Sequence, residues 1–403
     1  MKSRLHLNRS SLGLLALLAI PAGLAAQTPA KSVHYTITDL GTLGGAGTNS
    51  TATDINNAGW VAGSANLTAG GPQHAFLWYG RGRLHDLGTL DGKACPACNS
   101  GADGPNLSGE AAIGSETSTY FGPTGEDFCG YKTHHQCLGA IWKNGALKAL
   151  PNLKCGKDSK GCKNANAFDL NDQGQVIGFA ENGISDTTCS PGTPNQVFRF
   201  EAVIWEANGE IHELHPYGHD TVAFGFGIND YGQAVGSSGL CSNTSLPPGN
   251  PAGAHAVLWE RDGSPMDLGN LGGTYNVASS INNLGQVVGG AVSPKDGTIH
   301  AFFWTRETGM QDYGAYPGAV LTVAPCCRTI NDRGEIVGFS IDGTTFNSRA
   351  LIWHDKRPVD LNTLIPKNSP WYLQNADSIN DAGEIVGTGL INGEAHAFLA
   401  TPR

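Results

Sequence analysis

Groups suited to acid–base chemistry are concentrated in one short segment of the chain, His215-Pro216-Tyr217-Gly218-His219-Asp220. Its imidazole, phenol and carboxylate groups could transfer protons, and the guanidinium of Arg199 could stabilise developing charge. Such a set would suit a polysaccharide lyase or hydrolase, provided that His219, Asp220 and Tyr217 converge with Arg199 within hydrogen-bond distance. No nucleophile-elbow, phosphate-loop or metalloprotease motif accompanies them.

A second set of side chains favours binding over catalysis. Aromatic rings combined with arginine and carboxylate groups suit stacking on sugars or holding a peptide segment. Such residues, which no repeated pattern explains, are His215, Tyr275, Tyr316, Arg328, Trp371 and Tyr372. We expect a binding role rather than an enzymatic one, with a glycan or an extracellular protein as the partner. Packing within loops is the alternative for each ring.

The chain has ten cysteines, an even number that favours disulfide bonds in a secreted protein. We expect local pairs Cys129–Cys137 and Cys155–Cys162 and a longer link Cys189–Cys241, although sequence does not fix the connectivity. The full set is Cys95, Cys98, Cys129, Cys137, Cys155, Cys162, Cys189, Cys241, Cys326 and Cys327.

Redox and metal chemistry are the alternatives for these loops. Cys95-Pro96-Ala97-Cys98 has the spacing of a redox pair, but no helix pattern follows it. His134 and His135, beside Cys137, are weak metal-ligand candidates, and solvated loop histidines are the simpler interpretation. We expect no metal and no cofactor.

A repeated phrase must provide the scaffold that positions these residues. It consists of a hydrophobic residue, Asn, two variable residues and Gly, followed by an apolar run ending in Gly, and a strand that commonly ends in Trp. A degenerate seventh copy begins at Pro105, where we place Ser108 at the position of the usual Asn. A period near fifty residues indicates a repeat architecture. The six clear copies begin at Asp54, Asp169, Gly227, Ser280, Thr329 and Ser378.

Each repeat predicts four short antiparallel strands, because Asn and Gly suit a tight turn and the apolar runs are β-branched. Seven such units predict an all-β protein, a seven-bladed β-propeller with insertions in units two to four. The last unit lacks its fourth strand, and the matching phrase Asp39-Leu40-Gly41-Thr42-Leu43 lies near the N-terminus. We therefore expect the N-terminal strand to complete the last blade and close the ring, with an open solenoid as the alternative.

This topology predicts where function lies. The turns between strands one and two are short, whereas every long insertion, and every cysteine, falls on the opposite face of the predicted propeller. Insertions in repeat proteins commonly form the binding face. The repeated third-strand residue (His74, His300 and others) is expected to make hydrogen bonds within or between blades.

The first 26 residues have the pattern of a secretory signal peptide: basic residues, an apolar stretch and small residues before the cleavage point. Its removal would change the formal charge from −10 to −13, because it carries three cationic residues. An acidic chain of this kind disfavours nucleic acid as a partner, and no later segment is apolar enough to insert into a membrane. We expect a secreted monomer, extracellular or periplasmic, with one domain over residues 32–401.

The Asn-x-x-Gly-x-Val-Val-Gly phrase, the His-Ala-Phe strands at His74, His300 and His396, and the Asp-Leu-Gly-Thr-Leu-Gly-Gly ends resemble the HAF family of extracellular repeat proteins. The resemblance covers essentially all of the chain after the signal peptide. It implies secretion and a repeated β architecture, and it carries no catalytic residues. Unit two departs most from the pattern, since Leu138 replaces the strand-three His.

Overall fold

Antiparallel hairpins account for nearly all regular structure in the part of the chain that the structure describes. The computed structural model describes residues 33–123, 125–154, 163–186, 198–241 and 255–403, and Val33–Arg403 form one compact unit. Two short 3-10 helices, Gly92–Ala94 and Leu361–Thr363, accompany the strands in these ranges. The strands are β1 Tyr35–Gly41, β2 Ser50–Ile55, β3 Val61–Asn66, β4 Gln73–Trp78, β5 His85–Gly88, β6 Ser100–Asp103, β7 Ala111–Tyr120, β8 His135–Lys143, β9 Ala146–Ala149, β10 Ala165–Leu170, β11 Val176–Ser185, β12 Phe198–Trp205, β13 Ile211–Leu214, β14 Val222–Ile228, β15 Ala234–Gly239, β16 His255–Trp259, β17 Pro265–Asp267, β18 Asn276–Ile281, β19 Val287–Val292, β20 Ile299–Thr305, β21 Gly309–Asp312, β22 Ala319–Val323, β23 Val337–Asp342, β24 Ser348–His354, β25 Arg357–Asp360, β26 Trp371–Ile379, β27 Ile385–Ile391 and β28 Glu394–Pro402.

Successive strands pair antiparallel into four-stranded units, which we number by the repeat that forms them. Units one to four are the separate sheets β2–β5, β6–β9, β10–β13 and β14–β17. Units five (β18–β21) and six (β22–β25) form one sheet through a single parallel pair, Ile299 with Leu321. Unit seven consists of β26–β28, and the N-terminal strand β1 pairs antiparallel with β28 as its fourth strand.

The Asn-x-x-Gly phrase forms the turn between the first and second strands of each unit. In unit three, Asn171 Oδ1 accepts the backbone N–H groups of Gln173 and Gln175 at 3.1 and 2.9 Å. Gly174 has φ of +79°, which strains any residue with a Cβ. Asn and Gly are therefore required here for turn geometry.

The glycine that ends the apolar run has a different role. The first strand of most units carries a β-bulge opposite it, as between Ala52 and Asp54 in unit one. The bulge brings a first-strand carbonyl so close that a Cβ on the glycine would lie about 2 Å from that oxygen, for instance between Gly63 and Thr51 O. Only glycine fits this position, which is occupied by Gly63, Gly178, Gly236, Gly289, Gly338 and Gly387.

The expected register of unit two is wrong by two residues. Asn106, and not Ser108, occupies the turn position, because Asn106 Oδ1 accepts the N–H groups of Ser108 and Glu110 at 3.0 Å. Pro105 therefore takes the place of the usual hydrophobic residue, and Gly109 ends the turn with φ of +79°.

The turn asparagines also join neighbouring units in a series that we call the asparagine ring. Each side-chain amide donates to the backbone carbonyl of the equivalent asparagine in the following unit. The series returns to its start, because Asn380 of unit seven donates to Asn56 of unit one at 3.1 Å. The other six bonds are Asn56 to Asn106, Asn106 to Asn171, Asn171 to Asn229, Asn229 to Asn282, Asn282 to Asn331 and Asn331 to Asn380.

A second series of bonds uses the residue after each asparagine. Its backbone N–H donates to the side-chain oxygen of its equivalent in the following unit, as Asp381 does to Asn57 at 2.9 Å. Six such bonds form, and the seventh, from Asn57 to unit two, is missing because Leu107 has no side-chain acceptor.

Replacing Leu107 with asparagine is expected to raise the free energy of unfolding by about 1 kcal/mol, since residue 107 could then accept the Asn57 N–H. Urea denaturation would measure the change. Leu284→Asn is the control, because Leu284 is also an exposed turn leucine, at a position without a missing acceptor, and its effect should stay below about 0.5 kcal/mol. An unchanged midpoint for Leu107→Asn would contradict the expectation.

The hydrophobic core lies between neighbouring sheets. One cluster combines Ile204 of unit three with Val257 and Trp259 of unit four, and another joins Tyr35 of β1 to units six and seven. Trp259 also donates its indole N–H to His215 O, in the link that precedes unit four, at 2.9 Å. The repeated tryptophans therefore pack between units.

No helix in the described part of the chain is long and apolar enough to cross a membrane.

Candidate functional site

One first-strand position has equivalent residues in all seven units, three residues before the turn asparagine. In five units this residue lies at a β-bulge, which re-aims its side chain away from the sheet; in unit two Asp103 keeps its ladder partner, Ala112, and in unit six Arg328 lies beyond the end of β22. We call these residues the axial set, because one of them, Arg328, and the residues next to it contact several other units. They are Thr53, Asp103, Phe168, Phe226, Ser279, Arg328 and Asp377.

The first strand of unit six differs from those of the other units, because it is interrupted. Strand β22 ends at Val323, and the first strand resumes pairing only at the single bridge between Ile330 and Ile336. The intervening segment carries a disulfide between adjacent residues, Cys326 and Cys327. Their sulfurs lie 3.9 and 3.4 Å from backbone oxygens in units four and three, respectively. We call residues 324–329 the axial plug.

Arg328 extends the plug to three further units. Its Nη1 and Nη2 donate to the backbone oxygens of Pro105 in unit two and Leu170 in unit three. Its Nε lies 3.6 Å from Asp54 Oδ2 and 3.7 Å from Asp169 Oδ1. One side chain thus links units one, two and three to unit six.

Two buried carboxyl groups, those of Asp54 and Asp169, lie near the single guanidinium of Arg328. Asp54 is fully buried, and burial raises its pKa although Arg328 opposes the shift. The pKa of Asp169 rises to about 7 for the same reasons, with Asp54 adding to the rise. Burial alone would lower the pKa of Arg328, but Asp54 and Asp169 hold it above its usual value. The cation is therefore fixed at the axis.

Asp103 and Asp377 belong to the axial set and are not paired with Arg328. Burial raises the pKa of each to about 8, and the neighbouring carboxylates of Asp54, Asp169 and Asp377 add to the rise at Asp103. Thr53 donates a hydrogen bond to Asp103. Asp377 Oδ2 is inaccessible to solvent, yet no described residue donates to it. Both groups are thus neutral near pH 7, and one has an unused acceptor.

Replacing Asp377 with asparagine is expected to stabilise the protein at high pH. A carboxyl whose pKa is raised on folding contributes stability that is complete below the unfolded-state pKa near 4 and is lost as the pH rises towards 8. The advantage of the variant should therefore grow between about pH 5 and pH 8, by at most ~1.4 kcal/mol per pH unit. Urea denaturation across this range measures it, and a constant difference would contradict the raised pKa.

A disulfide-tied insertion brings Tyr131 close to this region. Cys129 and Cys137 are bonded, as expected from the sequence, and Tyr131 lies between them. Its hydroxyl bonds with the side chain of Gln73, and burial, with Asp103 and Glu116 nearby, raises its pKa. A Cβ on Gly101, in the first strand of unit two, would lie 3.0 Å from the Tyr131 hydroxyl. The insertion therefore places a phenol against the inner strand that carries Asp103.

The structure brings together only part of the predicted acid–base set. Asp220 Oδ2 contacts His255 Nδ1 at 2.8 Å and accepts a bond from Ser238 Oγ at 2.7 Å. The ring of Tyr217 lies 5.2 Å from that of His255. His219 is exposed.

Arg199, the fourth member of the predicted set, instead pairs with Asp186 at 3.0 Å. The contacts of Asp220 are with Ser238 and with His255, which occupies the repeated third-strand position that the sequence pattern assigned to the scaffold.

The predicted binding residues are dispersed. Trp371 is buried in the core against Phe398. Tyr275 is half-buried, and burial raises its pKa. The Tyr316 ring contacts the guanidinium of Arg349 at 4.6 Å, and the Tyr372 hydroxyl donates to a backbone oxygen. Arg328, as shown above, bonds to its own chain, and His215 Nδ1 lies 3.3 Å from Glu201 Oε2.

The remaining loop predictions have mixed outcomes. Cys95 and Cys98 form a disulfide, so they offer no thiolate to the adjacent His135. His134 and His135 each contact a backbone oxygen through Nδ1. Cys241 is disulfide-bonded, whereas Cys155, Cys162 and Cys189 lie outside the described residues.

Sequence reasoning missed a cluster of phenylalanines between units three and four. Phe168 and Phe226 of the axial set contact each other at 5.6 Å and continue outward through Phe179 and Phe224 to Phe128. The sequence did contain a signal, because phenylalanine occurs in units three and four at first-strand positions where the other repeats have small or polar residues. The cluster makes the part of the axial region formed by units three and four apolar, whereas Asp103 and Asp377 belong to units two and seven.

The repeated third-strand residue makes the expected hydrogen bonds. In four units it pairs with an Asp at the end of the fourth strand, and this Asp lies opposite the residue two positions further along the third strand. The pairs are His74 with Asp86, His300 with Asp312, Arg349 with Asp360 and His396 with Asp39.

Comparison with solved structures supports the fold. Puromycin hydrolase matches with a TM-score of 0.53 and 13% identity over 87% of this chain and 53% of the hydrolase, so the chain spans about half its length. Streptogramin B lyase matches with a TM-score of 0.50 and 10% identity over 92% and 98% of the two chains. The β-propeller domain of the Trilobed protease from Pyrococcus furiosus matches with a TM-score of 0.49 and 8% identity over 88% and 97%.

At these identities the likeness bears on the fold alone. The strand pairing confirms the expected all-β class, and the likeness supports a propeller, whereas the seven blades and the closed ring stay predictions. No protein-family model and no curated protein sequence matches the chain. The resemblance to the HAF repeat proteins therefore stays a prediction.

Proposed function

We propose that this protein is a secreted, seven-bladed β-propeller that binds a neutral carbohydrate at the axial region of its loop face. The number of blades and their closure are supported by the pairing of β1 with β28 and by the return of the asparagine ring from Asn380 to Asn56. Secretion is supported by the disulfides and by the signal-peptide pattern.

The observation that carries the binding proposal is the Oδ2 atom of Asp377, to which no described residue donates a hydrogen bond. Asp377 as a whole is only half-buried, so a rotation of its side chain would present this oxygen to a ligand. A neutral carboxyl both donates and accepts a hydrogen bond, as a sugar hydroxyl does, so it can exchange a pair of bonds with one hydroxyl group. Asp103 offers the same chemistry, and Tyr131 supplies a phenol from a loop that a disulfide holds in place.

The surroundings favour an uncharged ligand over an anionic one. Asp54 and Asp169 already place negative charge near Asp103, and an anion brought to the same region would meet this field. The phenylalanines of units three and four, including Phe168 and Phe226, offer an apolar surface of the kind on which sugar rings pack.

A glycan array probed with the chain from residue 27 onward tests the proposal, alongside a peptide array and a search for cleavage products of any bound glycan. We expect neutral oligosaccharides to bind without turnover. Binding of peptides alone would contradict the proposal, and cleavage would replace it with the lyase or hydrolase alternative.

Two substitutions sharpen the test. Asp377→Ala should weaken binding by at least about ten-fold, because it removes both the donor and the acceptor. Asp377→Asn should retain affinity and keep it at about pH 9, where the parent protein, with Asp377 ionised, should bind more weakly. Leu107→Asn, on the opposite face, is the control and should bind as the parent does. Equal affinities for Asp377→Ala and the parent would place the ligand elsewhere.

A further inference from the structure

Unit three breaks the pairing rule that four other units follow at the end of their fourth strands. In four units a His or Arg on the third strand neutralises an Asp on the fourth. Glu213 occupies the Asp position of unit three, since it lies opposite Val203 as Asp86 lies opposite Phe76. Glu201 occupies the position of the cation. Two carboxylates therefore meet where the repeat places one cation and one carboxylate.

The other two units avoid this conflict in different ways. Unit two has Leu138 with Ala149 at these positions, which leaves no charge to neutralise. In unit four the residue is His255, and it remains next to a carboxylate because it contacts Asp220. Among the seven units, only unit three keeps two negative charges at this position without a basic partner inside the pair.

An imidazole reaches the unbalanced pair from an unusual position. The repeat ends its fourth strand in Asp-Leu-Gly, as in Asp86-Leu87-Gly88, whereas unit three reads Glu213-Leu214-His215. His215 therefore replaces the glycine. One ligand atom from each of Glu201, Glu213 and His215 lies within 4.8 Å of the other two.

The local environment fits a bound cation better than a simple hydrogen-bonded pair. The Glu201 side chain is only 12% exposed, and Asn182 Nδ2 donates to its Oε1 at 2.7 Å, which fixes that carboxylate. The His215 side chain is 75% exposed, so it is free to turn one ring nitrogen towards a metal.

We propose that Glu201, Glu213 and His215 form a binding site for a divalent transition-metal ion, with zinc as the metal that suits them best. Carboxylate oxygens and one imidazole nitrogen are zinc ligands at about 2.0–2.2 Å, and the ligand atoms are close enough to converge on one ion. The ion supplies the positive charge that His or Arg supplies in the other units. Three protein ligands leave at least one position for water or an external donor.

Zinc titration of untagged, chelator-treated full-length mature protein tests the site, with binding measured by equilibrium dialysis and thermal unfolding followed in parallel. We expect one zinc ion per chain bound by these residues and a zinc-dependent rise in melting temperature. Glu201→Arg should weaken binding by at least about ten-fold, since it recreates the Arg349–Asp360 type of pair. The same variant should be more stable than the parent when both are free of metal, a result that a misfolded variant could not give.

His215→Gly, which restores the residue of the repeat, should also weaken zinc binding by at least about ten-fold. The matched control is His212→Gln, because His212 is exposed on the same strand and lies 3.9 Å from Glu206, outside the cluster. It should bind zinc within about two-fold of the parent. Absence of stoichiometric zinc binding by the parent, or unchanged affinity in both Glu201→Arg and His215→Gly, would overturn the proposal.

Discussion

Replacing Arg328 with methionine is expected to lower the free energy of unfolding by about 3–5 kcal/mol at neutral pH, the cost of leaving one side of a buried ion pair without its partner. Methionine has a similar length but supplies neither the charge that Asp54 and Asp169 face nor the donors to Pro105 O and Leu170 O. Urea denaturation would measure the loss.

The pH dependence of this loss identifies its cause. Without the guanidinium, the folded-state pKa values of Asp54 and Asp169 should rise further above their unfolded values. Stability linked to a raised pKa is complete below the unfolded-state pKa near 4 and is lost as the pH rises. The loss in free energy of unfolding caused by Arg328→Met should therefore decrease as the pH is lowered from about 8 to 5.

The matched control is Arg306→Met, because Arg306 forms an exposed pair with Glu260 and should cost less than about 1 kcal/mol. A deficit for Arg328→Met that matches this control, or that does not change with pH, would contradict the role assigned to the axial plug.

Deleting residues 1–41 is expected to abolish cooperative unfolding, because β1 supplies the fourth strand of unit seven. Tyr35 and Leu40 are 3% and 6% exposed and belong to two separate core clusters. Without β1, the polar groups of β28 that pair with it would form an open sheet edge, which favours aggregation. Thermal unfolding followed by circular dichroism measures the effect.

A chain that begins at residue 27 retains β1 and is the control, which should unfold in a single transition. Adding a synthetic peptide of residues 33–41 to the shortened chain should restore part of the transition if strand pairing is the cause. A melting temperature unchanged by the deletion would favour an open array of units over a closed ring.

The repeat made much of the fold predictable, since its Asn and Gly positions have one physical explanation each. Asn171 caps its turn, and Gly63 leaves room for a bulged strand. The register of unit two was misjudged because Ser108 was placed at a position that Asn106 fills. Proline at the preceding position concealed the otherwise regular Pro105-Asn106-Leu107-Ser108-Gly109 phrase.

The candidate site was much less predictable. Arg328 was identified by its type alone, and nothing in the sequence indicated that residues 324–329 would leave their sheet and reach other units. Asp377 was not predicted because it lies at a bulge, and sequence patterns do not locate bulges at single-residue precision. Asp103 was not predicted because the register of unit two was misplaced. Trp371 was expected on a surface, yet its ring fills a core position beside Phe398.

All hydrogen bonds of the asparagine ring have the same direction. Every amide donates towards the next unit along the chain, including the step from Asn380 to Asn56, so each junction presents the same donor on one side and the same acceptor on the other. Because every border between units uses the same donor and acceptor, a unit could be duplicated, lost or exchanged without requiring a new type of contact at its borders. The loops they carry can therefore diverge, while the joints between units stay the same.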